Sequence, residues 1–380
     1  MAQTYVYNSG SYNGAEDGVI EIERGLFFDG TNNNHRNVEI RKKVQKIEEY
    51  EDQSKPENKS TWTEYFIYKS VVSPFDGSYE NDFSNVARLW KGVDQEKYGI
   101  YIEGIGTKDE DGDYIRGMAW GTGGTGIRAK VRKGCKKLAD EIKKAVDKIK
   151  KDKKEIKSIT VTLDVFGFSR GAAAARNFVY EIGNNKRKVD IKILSKTELT
   201  NRSRAYKYET VYRDKDGEEV DSAYLDNGKM PKLGYLGYYL LQKKLSKEDL
   251  NKIRIKIRFI GVYDTVASFD SEHSDDIVQL QLNNLGNPAK VVHFTAMDEH
   301  RKNFALSKIP EGANFIEKNF PGVHSDIGGG YTTDKKVEII VEKNYSSHEE
   351  CKREKDELYE GYWYDDKQLS IHYHSLGSLS

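Results

Sequence analysis

A serine between two glycines lies where a predicted strand meets a predicted helix. Residues 159–168 have the pattern of a buried strand, Gly167, Ser169 and Gly171 have the spacing G-x-S-x-G, and four alanines then favour a helix. A sharp turn of this kind presents the serine hydroxyl above the edge of a sheet, and glycines permit the close approach and strained backbone it requires. We predict that Ser169 is a nucleophile activated by a neighbouring base. The alternative is a tight turn whose serine only caps the helix.

Backbone amides near this serine are candidates for stabilising an oxyanion. The amide of Arg170 is expected at the N-terminus of the predicted helix, where partial positive charge accumulates. A second predicted strand, residues 19–28, becomes continuously apolar and runs into Asp29, Gly30 and Thr31. Since ligands bind outside the carboxyl ends of parallel strands, the amide of Gly30 or Thr31 is the candidate second donor, with Asp29 shaping the turn. An ordinary turn at this position is the alternative.

A carboxylate and an imidazole also follow predicted strands. Asp264 comes directly after the apolar end of the strand at 253–263, and His324 lies in a glycine-rich loop after the strand at 314–320. The order Ser, Asp, His along the chain is that of α/β-hydrolase triads. In such a triad His324 takes and then returns the serine proton, while Asp264 orients the imidazole. Asp326 is too close along the loop to replace Asp264 easily, and we interpret it as a supporting residue.

Two other histidines compete for the role of the base. His293 lies inside the predicted strand at 290–296, which favours a packed core histidine. His300 follows the same strand together with Asp298, and this pair is the stronger rival. The sequence favours His324 over both because its loop also carries the glycines typical of a site.

The composition is that of a polar but globular protein. Its 380 residues are enough for one large α/β domain with insertions or for two domains. Lys+Arg and Asp+Glu both number 61, so no overall charge favours nucleic acid as a partner. Cys135 and Cys351 form neither a disulfide framework nor a metal-ligand spacing, and the mechanism requires no metal and no cofactor.

Targeting signals are not visible in the sequence. The first residues carry no basic segment followed by an apolar core, so no secretory signal peptide is predicted. No run of about 18 apolar residues is present, as a membrane-spanning helix requires. We expect a product made in the cytoplasm that needs a dedicated machine to act elsewhere.

The order of predicted elements indicates an α/β-hydrolase-like fold with a mostly parallel central sheet flanked by helices. We predict a flexible N-terminal arm (residues 1–17), a catalytic domain (18–334) and a C-terminal tail (335–380) that packs on the core or binds a partner. A charged, tyrosine-rich insertion at 186–250 lacks α/β periodicity and is a candidate lid over the site. Its apolar segment at 233–241 presents a face to a lipid chain or forms the insertion's own small core.

The helix predicted from residue 127 to residue 149 is amphipathic. Apolar residues recur along it at spacings of three and four, and lysines and arginines, Lys130 and Arg132 among them, are assigned to the opposite face. Contact with an anionic membrane surface is one interpretation. We favour the other, a solvated outer helix of an α/β fold.

Five segments, in order along the chain, resemble the motifs of one protein family. They are FDGTNNN (28–34), GIGT (104–107), GFSRGAAAAR (167–176), GVYDTVAS (261–268) and PGVHSDIGGGY (321–331). The family is the group of bacterial α/β hydrolases that includes the first family of type VI secretion lipase effectors, the Tle phospholipases. The motifs are specific as a set, whereas the insertion and the short tail are not matched.

This resemblance implies a function as well as a fold. Ser169, Asp264 and His324 fall on the family's catalytic triad, and the turn at 29–31 falls beside its site. The family cleaves acyl esters of glycerophospholipids, and its lipase effectors are delivered into a neighbouring cell's periplasm and countered by an immunity protein. The expected partners are therefore a phospholipid membrane surface, a secretion-spike or adaptor protein and an immunity protein. The lack of a signal peptide suits this delivery route.

Two other functions are compatible with the residues. One is an intracellular esterase or thioesterase with a small acyl substrate. The other is a binding or delivery module whose hydrolase fold has lost its activity, which the presence of all three triad residue types disfavours. An apolar lid and toxicity after targeting to the periplasm distinguish the phospholipase from the small-substrate enzyme.

Overall fold

Six parallel strands form the central sheet in the computed structural model of the chain. In their order across the sheet they are β2 (Gly99–Ile102), β1 (Val19–Phe28), β3 (Ser158–Phe168), β7 (Ile253–Tyr263), β8 (Lys290–Ala296) and β9 (Phe315–Phe320). Parallel neighbours need long crossover connections, and helices lie between most consecutive strands of this sheet along the chain. The predicted α/β fold with a parallel central sheet is confirmed.

The burial pattern of the strands explains where loops with functional residues emerge. β1 and β7 begin with alternating side chains and become continuously buried at residues 25–28 and 260–262. Strands that are buried on both faces have continuous apolar runs. The carboxyl ends of these two strands are therefore covered, and the residues that follow them start from fixed positions.

Ten helices lie within the described part of the chain. They are α1 (His35–Glu49), α2 (Gly77–Glu80), α3 (Asn85–Lys91), α4 (Ile127–Lys151), α5 (Arg170–Gly183), α6 (Tyr235–Gln242), α7 (Lys247–Asn251), α8 (Asp276–Gln279), α9 (His324–Gly328) and α10 (His348–Glu360). Helices α4 and α5 pack on one face of the sheet, where Leu138 and Phe178 are fully buried. Helix α3 packs on the other face, where Val86 and Ala87 meet Phe27. The two helical layers hold the covered end of the sheet between them.

The basic side of α4 differs from the solvated face that the sequence predicted. Lys130 Nζ donates to Glu103 Oε1 over 2.8 Å, and Arg132 NH1 donates to Asp214 Oδ2 over 2.9 Å. All four side chains are buried. The prediction of solvation is wrong at these two positions because a buried charge that has a partner of opposite sign can be accommodated in the interior.

The insertion at 186–250 contains strands that its sequence did not indicate. β4 (Lys192–Leu199), β5 (Tyr206–Arg213) and β6 (Glu219–Val220) form a separate three-stranded antiparallel sheet. The apolar segment that follows forms α6, whose Leu236 and Leu240 are fully buried in the same core as the apolar residues of α4. The segment is therefore part of the domain core, and both interpretations of it, a lipid-facing surface and a separate small core, are wrong.

The structure describes residues 18–49, 63–64, 66, 68–69, 77–114, 121–183, 192–199, 206–214, 217–268, 276–301, 304–330 and 348–360. The chain divides into two compact units, Met1–Asp334 and Lys335–Ser380, and the second is described only at α10. The predicted arm at residues 1–17 lies outside the described residues. Within the described ranges, no helix has the length and apolarity needed to cross a membrane.

Candidate active site

Ser169 occupies a strained turn between β3 and α5. Its backbone φ of 56° lies in the left-handed region that side chains disfavour. A Cβ on Gly167 would lie 2.5 Å from the Gly171 oxygen and 2.6 Å from Ala172 Cα, and one on Gly171 would overlap the Asp29 oxygen. Both flanking positions therefore have no room for a side chain. The G-x-S-x-G spacing is the geometry of a nucleophile elbow.

Backbone hydrogen bonds join this elbow to the end of β7. Ser169 N donates to the Tyr263 oxygen over 3.0 Å, and Val266 N donates to the Ser169 oxygen over 3.3 Å. Asp264, between those two residues, has a φ of 36°, so the chain turns sharply where β7 ends. The predicted acid is thus carried by a segment that is bonded directly to the predicted nucleophile's backbone.

Asp264 and His324 form a buried hydrogen-bonded pair. His324 Nδ1 donates to Asp264 Oδ2 over 2.6 Å, and Ala296 N donates to Asp264 Oδ1 over 2.9 Å. Only 2% of Asp264 and 3% of His324 are exposed. Because the carboxylate accepts from Nδ1, the Nε2 atom is left as a proton acceptor. Nε2 has no hydrogen-bond partner among the described residues.

Two aromatic rings hold the His324 imidazole beside the elbow. The Phe168 ring lies 4.6 Å from the imidazole between centroids, and the Phe304 ring lies 4.9 Å away in an edge-on arrangement. Phe168 directly precedes Ser169 in the chain, so the ring contact places His324 next to the turn. The serine hydroxyl and the imidazole are not hydrogen-bonded to each other in this structure. Contacts of this kind are often long until a substrate binds.

Glu299 and Arg301 support the backbone at His324, and the sequence analysis did not identify either. His324 N donates to Glu299 Oε2 over 3.2 Å. Burial opposes ionisation of Glu299, but the hydrogen bonds from Arg301 outweigh it and lower the pKa of this carboxyl to about 2. The Arg301 guanidinium in turn lies 3.7 Å from the Phe304 ring centroid. Their position directly after β8 is the available signal in the sequence, the same one that singles out His300 and Asp298.

The rival pair of His300 and Asp298 is arranged differently. His300 Nδ1 lies 3.4 Å from the backbone oxygen of Asp298. The Asp298 carboxylate accepts a hydrogen bond of 2.6 Å from Gly322 N. Asp298 therefore fixes the loop that leads to His324. This arrangement does not orient the His300 imidazole as a triad requires.

The supporting role predicted for Asp326 is exerted through the backbone. Its Oδ2 atom accepts from Val323 N over 2.8 Å, which caps the short helix α9 that begins at His324. The side chain of Asp326 is exposed. Among the described residues its hydrogen bonds do not include the imidazole, so it shapes the loop and does not act on the proton-transfer group.

His293 is a fully buried member of a second histidine–carboxylate pair. Its Nδ1 atom lies 3.0 Å from Glu317 Oε2, and Thr265 N donates to its Nε2 over 3.1 Å. Burial lowers the pKa of this imidazole to about 4, although Glu317 acts in the opposite direction. The ring is therefore neutral at neutral pH, and both of its nitrogens are engaged.

The turn after β1 is held by the buried carboxylate of Asp29. Gly30 N donates to its Oδ1 over 2.8 Å, Ser84 Oγ donates to the same atom over 2.5 Å, and Tyr101 OH donates to Oδ2. Burial raises the pKa of Asp29 to about 6 against the effect of these three bonds. A Cβ on Gly30 would lie 2.5 Å from Phe168 Cδ1, so the turn packs closely against the elbow.

Two backbone amides near the elbow remain available for an oxyanion. The amide of Gly30 is already engaged with the Asp29 side chain. The amides of Thr31 and Arg170 have no acceptor among the described residues. Arg170 N also lies at the first turn of α5, where the helix dipole is positive. Of the three predicted donors, these two have the free hydrogen.

A parallel sheet flanked by helices, with a strained serine between a strand and a helix, defines the class of α/β-hydrolase-like proteins. The chain belongs to the Tle1-like phospholipase effectors of the type VI secretion system (T6SS), because the family model of their catalytic domain matches residues 25–348. The resemblance seen in the sequence motifs is thereby confirmed.

Solved structures with similarity to the chain include two that differ in length from it. One is the Tle1 effector bound to the VgrG spike from the type VI secretion system, with 20% identity, 94% of this chain and 64% of that chain covered, and a TM-score of 0.44. The other is an uncharacterized protein from Pseudomonas aeruginosa, with 19% identity, 82% and 42% coverage, and a TM-score of 0.36. The chain thus spans less than two thirds of either. No curated protein sequence matches it.

Proposed function

We propose that the protein is a serine phospholipase that hydrolyses acyl esters of glycerophospholipids, with Ser169 as nucleophile, His324 as base and Asp264 as the orienting acid. The observation that carries the proposal is the buried 2.6 Å bond from His324 Nδ1 to Asp264 Oδ2, formed beside the strained turn of Ser169. Membership of a phospholipase effector family supports the substrate class.

The reaction proceeds in two steps, acylation of Ser169 and hydrolysis of the acyl-enzyme. Ser169 Oγ attacks the ester carbonyl carbon while His324 Nε2 takes the hydroxyl proton, and Asp264 stabilises the resulting imidazolium. The carbon–oxygen bond to the glycerol then breaks, and His324 gives its proton to the departing lysophospholipid oxygen. A water molecule attacks the acyl-enzyme by the same route, which releases the fatty acid and restores the serine.

The oxyanion formed in each step is stabilised by backbone amides in this mechanism. We assign this role to the amides of Arg170 and Thr31, since the Gly30 amide donates to Asp29. A preorganised donor of this kind contributes about 3 kcal/mol to transition-state stabilisation. Asp29 supports the hole indirectly by holding the turn.

We further propose that the enzyme is an antibacterial effector delivered into the periplasm of a target cell. Family membership supports delivery by the type VI system. The spike contact recorded for the Tle1 effector is extended to this chain on the same ground, so a spike or adaptor protein is the expected delivery partner. A producing cell then needs a cognate immunity protein. The insertion at 186–250 is proposed as a lid through its antiparallel sheet.

The test is a lipid-hydrolysis assay on vesicles of mixed bacterial phospholipids with mass spectrometry of the products. Wild type is compared with Ser169→Ala and with Ser222→Ala, an exposed serine in the insertion. Fatty acid and lysolipid released by wild type and by the Ser222 variant, but not by the Ser169 variant, support the proposal. Serine-dependent cleavage of short acyl esters without lipid turnover would instead favour a small-substrate esterase. Inactivity on both substrates would favour a binding module.

A further inference from the structure

Helix α5 carries two buried arginines with different surroundings. Arg176 is fully buried and Arg170 is 9% exposed. Burial lowers the pKa of each guanidinium to about 10 from its usual 12.5. Both groups remain charged at neutral pH, so each positive charge needs compensation within the protein or from a ligand.

The guanidinium of Arg176 is surrounded by acceptors. It donates to the backbone oxygens of Leu282, Ser307 and Lys308 and to Asn283 Oδ1, over distances of 2.7–3.2 Å. These bonds tie α5 to the loops after α8 and before β9. Arg176 is therefore a structural residue whose hydrogen-bonding capacity is largely filled.

The guanidinium of Arg170 has one acceptor among the described residues. Its Nε atom donates to Thr31 Oγ1 over 2.9 Å. A guanidinium has five N–H donors, so its two terminal nitrogens have no acceptor in the part of the chain that the structure describes. Two other buried cations, Lys130 and Arg132, are paired with the carboxylates of Glu103 and Asp214. Arg170 is thus a buried charge whose terminal N–H groups are available to an anionic ligand.

The position of this charge relates it to the candidate site. Arg170 directly follows Ser169, and its acceptor Thr31 belongs to the turn that offers an oxyanion donor. A planar guanidinium with two free terminal nitrogens matches the two charged oxygens of a phosphodiester. A glycerophospholipid carries its phosphodiester a few bonds away from the acyl ester that is cleaved. Since Ser169 and Arg170 are adjacent in the chain, we expect one substrate molecule to reach both groups.

We propose that the Arg170 side chain binds the phosphodiester of the lipid substrate and so determines the preference for phospholipids over uncharged acyl esters. This inference rests on the proposed phospholipase function. It assigns to the side chain of Arg170 a role that is separate from that of its backbone amide.

The test compares Arg170→Met, Arg170→Lys and the matched control Arg176→Met on phosphatidylglycerol vesicles and on an uncharged short acyl ester. A hydrogen bond to a charged group is worth about 1.5–3 kcal/mol, which corresponds to about 10- to 100-fold. For Arg170→Met, we expect the loss of kcat/KM on the phospholipid to exceed the loss on the ester by this factor. Arg170→Lys keeps the charge and is expected to lose less. For Arg176→Met, both substrates should be affected equally.

Equal losses on the two substrates in Arg170→Met would overturn the proposal. Thermal unfolding gives an independent criterion, because removing a buried charge that has no counter-charge should not lower the Tm, whereas Arg176→Met should lower it. A fall in Tm as large as that of the control would show that Arg170 is structural.

An inhibition experiment separates this inference from the phospholipase proposal. Dibutyl phosphate, an anionic phosphodiester, is expected to inhibit hydrolysis of the uncharged ester by wild type at least tenfold more strongly than that by Arg170→Met, a ratio based on the same estimate. Equal inhibition of both enzymes would contradict the anion site even if lipid is cleaved. If wild type cleaves the ester but no phospholipid, the phospholipase proposal fails while this measurement still tests the site. Inorganic phosphate distinguishes a diester site from one that takes any phosphate.

Discussion

Two histidine–carboxylate pairs, one between strands β8 and β9 and the other in the segments that follow β7 and β9, differ in how completely they are hydrogen-bonded. In the pair of His293 and Glu317, Nδ1 faces the carboxylate and Nε2 accepts from Thr265 N. In the pair of His324 and Asp264, only Nδ1 of the imidazole has a hydrogen-bond partner in the described segments. Both ring nitrogens of His293 are therefore hydrogen-bonded, whereas Nε2 of His324 is left as an acceptor beside the elbow.

This difference distinguishes a structural histidine from a candidate catalytic one when both are buried. Burial is similar in the two pairs, with His293 at 0% and His324 at 3% exposed. What distinguishes them is the ring nitrogen of His324 that lacks a hydrogen bond among the described residues. A buried polar atom without a hydrogen bond costs free energy unless a substrate supplies the partner. The same distinction separates the filled Arg176 from the open Arg170 on α5.

The largest expected effect is the contrast between His324→Ala and His293→Ala. Loss of a triad histidine lowers kcat by about a million-fold in a well-studied serine hydrolase, and we expect a loss of this order for His324→Ala. For His293→Ala we expect at most about a hundredfold, as for a group that only positions others. Steady-state kinetics on a short acyl ester measures both.

Both variants should lose stability, but in the reverse order of their effects on activity. His293→Ala leaves Thr265 N without its acceptor in the interior and is expected to lower the free energy of unfolding by about 2–3 kcal/mol. His324→Ala should cost less, because only one of its ring nitrogens is hydrogen-bonded to a described residue. Urea unfolding provides the measurement. If His293→Ala abolished activity and His324→Ala did not, the two roles would be exchanged.

The carboxylates of the two pairs give the next contrast. Asp264→Asn removes the charge that orients His324, and the corresponding change in serine proteases lowers kcat by about 10⁴-fold. Glu317→Gln keeps a hydrogen-bonding group beside a neutral imidazole, so we expect a loss below about tenfold. Kinetics of both variants at neutral pH would test this. Similar losses would mean that the His293 pair takes part in catalysis.

Much of the fold and the site could be predicted because each depends on local pattern. The strand from Ile253 to Tyr263 has the predicted boundaries, since its alternation ends where the core begins. The elbow was visible because Gly167 and Gly171 have no room for a Cβ. Local steric requirements of this kind leave a clear trace in residue type.

Features that depend on contacts distant in sequence could not be predicted. The pairs of Lys130 with Glu103 and of Arg132 with Asp214 join residues 27 and 82 positions apart. The engagement of the Gly30 amide depends on the orientation of the Asp29 side chain, which the residue types leave open. Glu299 is likewise recognised only through its bond to His324 N. At the two ion pairs and at Glu299 the chain folds to bring together partners that no spacing indicates, whereas at Gly30 the partner is adjacent and only its side-chain orientation is unpredicted.

The buried carboxylate of Asp29, in the turn that packs against the elbow, should make stability depend on pH. The pKa of Asp29 rises from 3.8 to about 6 on burial, so the folded protein holds this proton more tightly than the unfolded chain. Its contribution to stability is complete below pH 4 and is lost as the pH rises through 6, by about 3 kcal/mol in total. Asp29→Asn does not titrate. The stability of wild type relative to this variant should fall by about that amount between pH 3 and pH 7, and parallel profiles would contradict it.

The smallest expected effect concerns Asp326, which supports the site only through the backbone. Its carboxylate accepts a hydrogen bond from Val323 N and so caps α9, the helix that begins at His324. Loss of a helix cap costs about 1 kcal/mol, and Asp326→Ala should lower the free energy of unfolding by that amount. We expect kcat to fall by less than about tenfold, because Asp264 and the rings of Phe168 and Phe304 still hold the imidazole. A loss of kcat as large as that of Asp264→Asn would mean that Asp326 acts on the imidazole itself. The distinction between residues that hold the loop and residues that transfer the proton would then be wrong for Asp326.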